Sequence, residues 1–177
     1  LRTYKNGNAK INGYLEDYSY FINALLDAFE IDPNQKYLKL ALKLGHHLID
    51  HFWDSENNSF FMTSDDHEKL IIRPKSNYDL SLPSGNSVSS FVMLRLYHLS
   101  QEQSFLDISI KIMESQAQMA AENPFGFGYL LNTLSVYLEK PIEITIINSE
   151  NSEICTSLFT SYLPSSFMVT IKNSEQL

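Results

Sequence analysis

The chain has 177 residues, of which 44% are apolar, and its net charge at neutral pH is −8. This length and composition suffice for one folded domain with a substantial core, and they exclude a disordered chain. Nucleic acids and anionic membranes attract proteins with a basic surface, whereas this chain has a net negative charge. We therefore predict neither as a partner. A neutral ligand or another protein suits this charge better.

Cys155 is the single cysteine, which excludes a disulfide framework, and no Cys/His spacing predicts a zinc site. We therefore predict a cytoplasmic protein without a metal or other cofactor, with Cys155 as a small buried apolar residue. No apolar run reaches the roughly 18 residues of a membrane span. Because the chain opens on Leu1 in a structured-looking segment, we expect it to be a fragment of a longer protein.

Apolar residues recur at helical spacing in five segments, which predicts five helices. These helices cover about residues 15–31, 34–53, 84–99, 104–121 and 124–138. Pro33 and Pro124 fall where the second and fifth helices begin, and a residue without an N–H is tolerated there. Apart from one long connection the links are short, so we expect the helices to alternate in direction as stacked hairpins.

The long connection, residues 54–83, separates the second and third helices. Its aromatic and apolar content favours order, and connections of this length are often functional. Within it, Ser59–Thr63 and Lys69–Arg73 flank a polar turn. They predict a small β-hairpin insertion near residues 59–73.

The last part of the chain has a different pattern. Glu143–Ile147 and Phe167–Lys172 are rich in β-branched residues and predict strands, with a short helix over Glu153–Tyr162 between them. This order is typical of a parallel βαβ unit with a right-handed crossover. We therefore divide the chain into a helical-hairpin domain, 1–140, and a C-terminal β-α-β segment, 141–177.

Two stretches of the chain resemble a known family. One is Gly13–Tyr20, preceded by Arg2–Gly7, and the other is Asp79–Ser87, preceded by Arg73–Lys75. Each stretch alone is a weak signal, but their order along the chain makes the match specific. Together they resemble signatures of the thioredoxin-domain protein family that includes spermatogenesis-associated protein 20.

This resemblance implies an N-terminal thioredoxin-like domain, whose cysteine motif this sequence does not contain, followed by a helical toroid. Such a toroid is similar to the (α/α)6 barrels of sugar 2-epimerases and six-hairpin glycosidases. Five helices are too few for a complete toroid. The predicted fold class is therefore mainly α, an incomplete toroid-like array of antiparallel helical hairpins with a small C-terminal βαβ unit.

Alternating helix directions would gather the starts of the first, third and fifth helices at one end of the molecule, which we call the mouth. The long connection leaves the second helix at the same end. Helix N-termini present free N–H groups there, beside acids, hydroxyls, amides, cations and rings. The candidate substrate-binding residues at the mouth are Tyr14, Glu16, Asp17, Tyr20, Arg73, Lys75, Asp79, Ser84 and Asn86.

These residues also have a purely structural interpretation. Glu16 and Asp17 can cap the first helix and complement its dipole. Neighbours about 100° apart on a helix are also poorly placed to act as a paired acid and base. The hydroxyl and amide groups that open the third helix can cap it, and Arg73 can form an ion pair with Asp79.

The histidines do not predict a metal site. His47 and His51 have i, i+4 spacing on the second helix, but the Glu of a His-Glu-x-x-His motif is missing. We interpret this side of the helix as solvated. No histidine is predicted at the mouth, which weakens the analogy with epimerases that use histidine as acid and base.

Two functions remain open from the sequence. In the first, the mouth binds or acts on a neutral carbohydrate-like small molecule, because rings stack on sugars and polar groups bind their hydroxyls. In the second, the helices are a non-catalytic scaffold or interaction module for the missing thioredoxin-like domain. An incomplete toroid also exposes apolar helix faces, from which we expect a homodimer.

Overall fold

The structure, a computed structural model, describes residues 1–67, 71–147, 152–163 and 165–171. It is mainly helical, with 59% of the described residues in helices. The α-helices within these ranges are α1 (Leu15–Ile31), α2 (Gln35–Phe52), α3 (Gly85–Ser100), α4 (Gln103–Glu122), α5 (Gly128–Glu139) and α6 (Ser152–Thr160). A turn of 3-10 helix, Pro124–Phe127, leads into α5. The five helices predicted before residue 140 are confirmed.

Short strands form three separate pairs in the described part of the chain. They are β1 (Thr3–Lys5), β2 (Asn8–Lys10), β3 (Trp53–Asp54), β4 (Ser59–Phe60), β5 (Ile142–Ile147) and β6 (Ser166–Ile171). β5 and β6 are parallel and joined through α6, which confirms the βαβ unit. The predicted strand residues Lys69, Leu70 and Lys172, and the burial of Cys155, lie outside what the structure describes.

The hairpin in the long connection differs from the prediction. Ser59–Phe60 pairs antiparallel with Trp53–Asp54, directly after α2, and not with Ile71–Arg73, the described part of the predicted partner segment. The Asp54 carboxylate accepts hydrogen bonds from the backbone N–H two residues later, at 2.9 Å, and from the side chain of Asn57, at 2.8 Å. These bonds close a tight turn next to the first strand. The predicted pairing is wrong because this local turn determines the partner strand.

A second hairpin, β1–β2, lies at the start of the chain. Asn6 and Gly7 form its two-residue turn with φ angles of 52° and 78°, the conformation that matches the twist of a hairpin. Thr3 pairs with Lys10 across it. The sequence interpretation does not include this hairpin, although Asn-Gly is among the strongest hairpin signals.

Helix α3 is the centre of the helical layer, since it contacts α1, α2, α4 and α5 and is buried over most of its girth. Gly45 of α2 permits close packing there. A Cβ at this position would lie 2.6 Å from Leu96 Cδ1 and 3.0 Å from Phe105 Cε1. Within the described residues, no helix combines the length and apolarity that crossing a membrane requires.

The βαβ unit packs against the helices, as expected for a pair of strands that is too small to be stable alone. β6 contacts α1, and the buried Phe167 side chain packs with Leu94 of α3 and Val136 of α5. His98 of α3 contacts Glu143 of β5, with 2.7 Å between Nδ1 and Oε1.

Candidate functional site

Asp79 joins the starts of α3 and α5. Its Oδ1 accepts a hydrogen bond from the N–H of Ser84, the N-cap of α3, and its Oδ2 accepts one from the N–H of Tyr129 in the first turn of α5. Both distances are 2.8 Å. The Asp79 N–H donates to the carbonyl of Gly126, also at 2.8 Å. One carboxylate therefore serves two helix N-termini, where the helix dipoles favour negative charge.

The start of α1 lies against the start of α3. The Tyr20 hydroxyl donates a hydrogen bond to the carbonyl of Pro83 at 3.0 Å. A Cβ on Gly85 would lie 2.9 Å from two side-chain atoms of Leu15, so the absence of a side chain allows the two helices to approach. The starts of the three odd-numbered helices thus meet at one end, as alternating helix directions require.

Asn86 is buried in the interior and does not face the mouth. Its Oδ1 accepts a hydrogen bond from the N–H of Phe60 at 2.7 Å. Its Nδ2 lies 3.0 Å from the carbonyl of Phe60, 3.1 Å from that of Ser76 and 3.1 Å from Oδ1 of Asn77. The side chain is 0% exposed. Asn86 therefore joins β4, the long connection and α3, and leaves no polar atom for a ligand.

Ser84 and Asp17 act as helix caps. The Ser84 Oγ accepts a hydrogen bond from the N–H of Ser87 at 3.0 Å, which confirms its predicted role at the start of α3. Asp17 Oδ2 accepts one from the N–H of Tyr14 at 2.8 Å and lies 3.5 Å from Nε of Arg2. The structural interpretation therefore holds for both residues.

Arg73 is directed to backbone carbonyls. One guanidinium nitrogen donates to the carbonyls of His51, at 3.0 Å, and Thr63, at 2.6 Å, and the group lies 4.2 Å from the ring centre of Phe61. Within the described residues it forms no ion pair with Asp79, so that prediction is wrong. The guanidinium is held instead by the carbonyls of His51 and Thr63.

Lys75 forms an ion pair with Asp54, the residue that closes the β3–β4 turn. The hydrogen bond from Lys75, followed by that from Asn57, holds the pKa of the Asp54 carboxyl well below its usual range. The Lys75 charge is therefore neutralised within the fold. Neither of the two predicted cations, Arg73 and Lys75, is directed toward a ligand.

A groove of about 290 Å³ lies beside the starts of α1 and α3, and we call it the α1–α3 groove. Its lining residues are Glu16, Tyr20, Ser76, Tyr78, Leu80, Ser81, Leu82, Pro83 and Ser84. The predicted candidates among them are Glu16, Tyr20 and Ser84, while Tyr14 lines an adjoining narrow cleft. The sequence reasoning missed Ser76, Tyr78 and Ser81. The available signal was their position within or just before the Asp79–Ser87 stretch.

Glu16 is the unusual residue of this groove. It is half-buried, and within the described part of the chain its carboxylate makes no hydrogen bond or ion pair. Burial raises the pKa of Tyr20, and the Glu16 and Asp79 carboxylates raise it further. The Tyr20 hydroxyl therefore stays protonated at neutral pH and remains a hydrogen-bond donor. The groove combines an unpaired carboxylate with a neutral phenol.

The histidines of α2 are more involved in packing than predicted. His51 Nδ1 lies 2.8 Å from Oδ1 of Asp65, and this contact raises the pKa of His51. Burial, followed by the nearby His51, lowers the pKa of His47. His67, in the long connection, packs near the mouth, and its ring centre lies 5.7 Å from that of Tyr14. Among the described residues, no group of three or more His, Cys, Asp or Glu side chains could hold a metal ion.

Comparison with known proteins confirms the resemblance. The chain is 25% identical to spermatogenesis-associated protein 20 of Rattus norvegicus and 24% identical to that of Homo sapiens, in both cases over 94% of this chain. An uncharacterised protein of Caenorhabditis elegans is 22% identical over 98% of the chain. The chain spans 22% of the length of the mammalian relatives and 24% of that of the nematode protein. No family model matches the chain.

Proposed function

We propose that the chain binds a small carbohydrate-like molecule in the α1–α3 groove. The observation that carries the proposal is the half-buried, unpaired carboxylate of Glu16, which lines the groove together with the rings of Tyr20 and Tyr78. A carboxylate accepts hydrogen bonds from sugar hydroxyls, and an aromatic face packs on the apolar face of a sugar ring. The volume of about 290 Å³ is at the lower end of ligand sites and suits a single ring.

This geometry supports binding better than glycoside hydrolysis. Hydrolysis by the usual mechanism needs two carboxyl groups, about 5 to 9.5 Å apart, on either side of the scissile bond. Asp79 uses both oxygens on backbone N–H groups, and Asp17 is bound to the N–H of Tyr14 and faces Arg2. Glu16 is therefore the one carboxylate, among the described residues, that the groove offers to a ligand.

Titration of the isotope-labelled chain with glucose, followed by amide NMR shifts, tests the proposal. We expect saturable shifts for groove residues such as Ser76 and Ser81, and their loss in Glu16→Ala. The matched control is Glu122→Ala, which removes an exposed carboxylate at the end of α4 outside the groove. Saturable shifts elsewhere on the protein, or none with any simple sugar, would contradict the proposal.

The proposal extends to the fold. The hairpins α1–α2 and α3–α4, followed by α5, would form part of an incomplete α/α toroid in which α1, α3 and α5 are the inner helices. Two observations support it: α3 packs against both α1 and α5, while α2 pairs with α1 and α4 with α3. The division into a helical domain, 1–140, and a β-α-β segment, 141–177, belongs to the same proposal.

A groove between α4 and α5 also fits a toroid. It has a volume of about 510 Å³. Its lining residues are Ile110, Met113, Glu114, Ala117, Ala120, Ala121, Pro124, Leu130, Leu131, Leu134 and Tyr137. Such an apolar surface is suited to a further helix, such as the one that would pair with α5 in a complete toroid.

A second candidate function is a non-catalytic scaffold for a thioredoxin-like domain or another protein partner. It is favoured by the number of motif residues whose polar atoms already serve the fold. These residues are Asp17, Arg73, Lys75, Asp79, Ser84 and Asn86. If Asp17→Asn and Asp79→Asn lower the melting temperature while Glu16→Ala changes no sugar binding, the scaffold is the better account.

Assembly and location complete the proposal. We expect a homodimer, because the α4–α5 groove leaves apolar side chains uncovered. A cytoplasmic location rests on the presence of one cysteine in the chain. Sedimentation equilibrium tests the dimer, and a monomer over the whole accessible concentration range would rule it out.

A further inference from the structure

The charge in the α1–α3 groove is unbalanced. Among the described residues that line it, Glu16 alone carries a charge. The nearby cations are engaged elsewhere: Arg73 with backbone carbonyls, Lys75 with Asp54, and Arg2 with Asp17. Glu16 lies in the first turn of α1, where the helix dipole stabilises its charge but no described group donates a hydrogen bond to its carboxylate. A cationic group of a ligand would supply that partner through a charge-assisted hydrogen bond.

The carboxylates of Glu16 and Asp79 both act electrostatically on Tyr20, a residue that lines the groove. The pKa of the Tyr20 phenol is raised by burial and, in addition, by the Glu16 and Asp79 carboxylates. The Asp79 carboxylate is satisfied by two N–H groups but still contributes its charge to the groove. These two charges favour a cationic ligand over an anionic one such as a sugar phosphate.

Two aromatic rings line the same groove. Tyr20 is 37% exposed and Tyr78 is 48% exposed. The Tyr20 ring is anchored by the hydrogen bond of its hydroxyl to Pro83, and the Tyr78 ring packs on Phe127 with 5.1 Å between ring centres. Anchored, partly exposed rings can bind an ammonium group, because the quadrupole of an aromatic ring is negative on its face.

The remaining lining narrows the ligand class. The hydroxyls of Ser76 and Ser81 can bind ligand hydroxyls, while Leu80 and Leu82 are 85% and 70% exposed and offer apolar surface. A single ring that carries several hydroxyls and one ammonium group matches this combination. The small volume disfavours an extended peptide.

We infer that the ligand of the α1–α3 groove is an amino sugar whose protonated amine binds the Glu16 carboxylate and lies against the tyrosine rings. This inference rests on the proposed sugar-binding function and narrows it from neutral sugars to sugars with a free amine. The amine donates two hydrogen bonds or more, of which the carboxylate accepts at least one.

Calorimetric titration of the full chain with glucosamine, N-acetylglucosamine, glucose and glucose 6-phosphate tests the inference, at about pH 6, where a sugar amine is protonated. We expect glucosamine to bind about tenfold more tightly than glucose at low salt, with N-acetylglucosamine near glucose and glucose 6-phosphate weakest. Glu16→Gln should remove the preference for glucosamine. Glu122→Gln, the matched control on α4, should retain it.

The outcomes separate the inference from the proposed function. If glucose and glucosamine bind equally to the unmodified chain, or if Glu16→Gln keeps the preference, the inference fails while sugar binding stands. If none of these sugars binds, the proposed function fails and the inference fails with it. Free lysine serves as an ammonium group without a sugar ring, and binding as tight as that of glucosamine would overturn the assignment to a sugar.

Discussion

Two neighbouring regions of the mouth differ in whether their polar side chains have hydrogen-bond partners within the protein. In the network around Asp79 and Asn86, both carboxylate oxygens and both amide atoms bind partners from other segments. In the adjoining α1–α3 groove, the Glu16 carboxylate makes no hydrogen bond or ion pair with any described residue. The proposed function therefore assigns the hydrogen-bonded residues to the fold and the unpaired carboxylate to a ligand.

The largest expected effect is a loss of stability when the hydrogen-bond network around Asn86 is broken. Asn86→Ala leaves buried polar groups of Phe60 and Ser76 without partners, and we expect the free energy of unfolding to fall by about 3 kcal/mol. Urea denaturation of the variant and of the unmodified chain measures this. Gln118→Ala, an exposed substitution on α4, is the control, with an expected change of about 0.5 kcal/mol or less. A comparably small change for Asn86→Ala would contradict the role of the network.

A smaller loss is expected for Asp79→Asn. The substitution removes a charge shared by two helix N-termini and turns one acceptor into a donor that faces an N–H group. We expect the free energy of unfolding to fall by about 2 kcal/mol. The affinity for glucose should stay within about twofold, because Asp79 does not line the α1–α3 groove. A large loss of glucose affinity without a loss of stability would show that Asp79 serves ligand binding and not the fold.

Acidification should break the Lys75–Asp54 pair. The pKa of Asp54 is lowered in the folded chain, so its contribution to stability is present above the usual pKa of an aspartate and is lost as the pH falls toward the lowered value. At neutral pH, Lys75→Met should therefore be less stable than the unmodified chain by about 1 kcal/mol. Thermal unfolding should show this difference shrinking as the pH falls below about 4. A difference that is constant over this range would contradict the ion pair.

The smallest effect is expected for Tyr20→Phe. It removes one partly exposed hydrogen bond, to the carbonyl of Pro83, so we expect the free energy of unfolding to fall by about 0.5 kcal/mol. Differential scanning calorimetry can compare the variant with Tyr162→Phe, whose ring is 90% exposed in the C-terminal segment. Equal melting temperatures of the two variants would show that the Tyr20 hydroxyl does not fasten α1 to the start of α3.

Much of the fold follows from the sequence. The helix positions follow from apolar periodicity, and the parallel βαβ unit follows from two β-branched segments around a short helix. The pairing of Ser59–Phe60 with Trp53–Asp54 could not be predicted from strand propensity. Asp54 and Asn57 close a local turn, and this turn decides which segment becomes the partner strand. Strand propensity does not identify the partner strand.

The sequence predicts which segments meet at the mouth but not which way each side chain there points. Alternating helix directions alone predict that the starts of α1, α3 and α5 lie together. Whether a side chain there faces the interior or the groove depends on the rotation of each helix and on the path of the long connection. Asn86 binds Phe60 and Ser76 from that connection, and helical periodicity does not encode the path that brings them there.

The most direct test of the central claim, that the α1–α3 groove is a ligand site, is a crystal structure of the chain soaked with glucosamine. The account predicts a sugar ring against Tyr20 and Tyr78, with its amine within about 3.2 Å of the Glu16 carboxylate. A crystal with an accessible but empty groove at saturating sugar, or with the sugar bound only elsewhere, would contradict it.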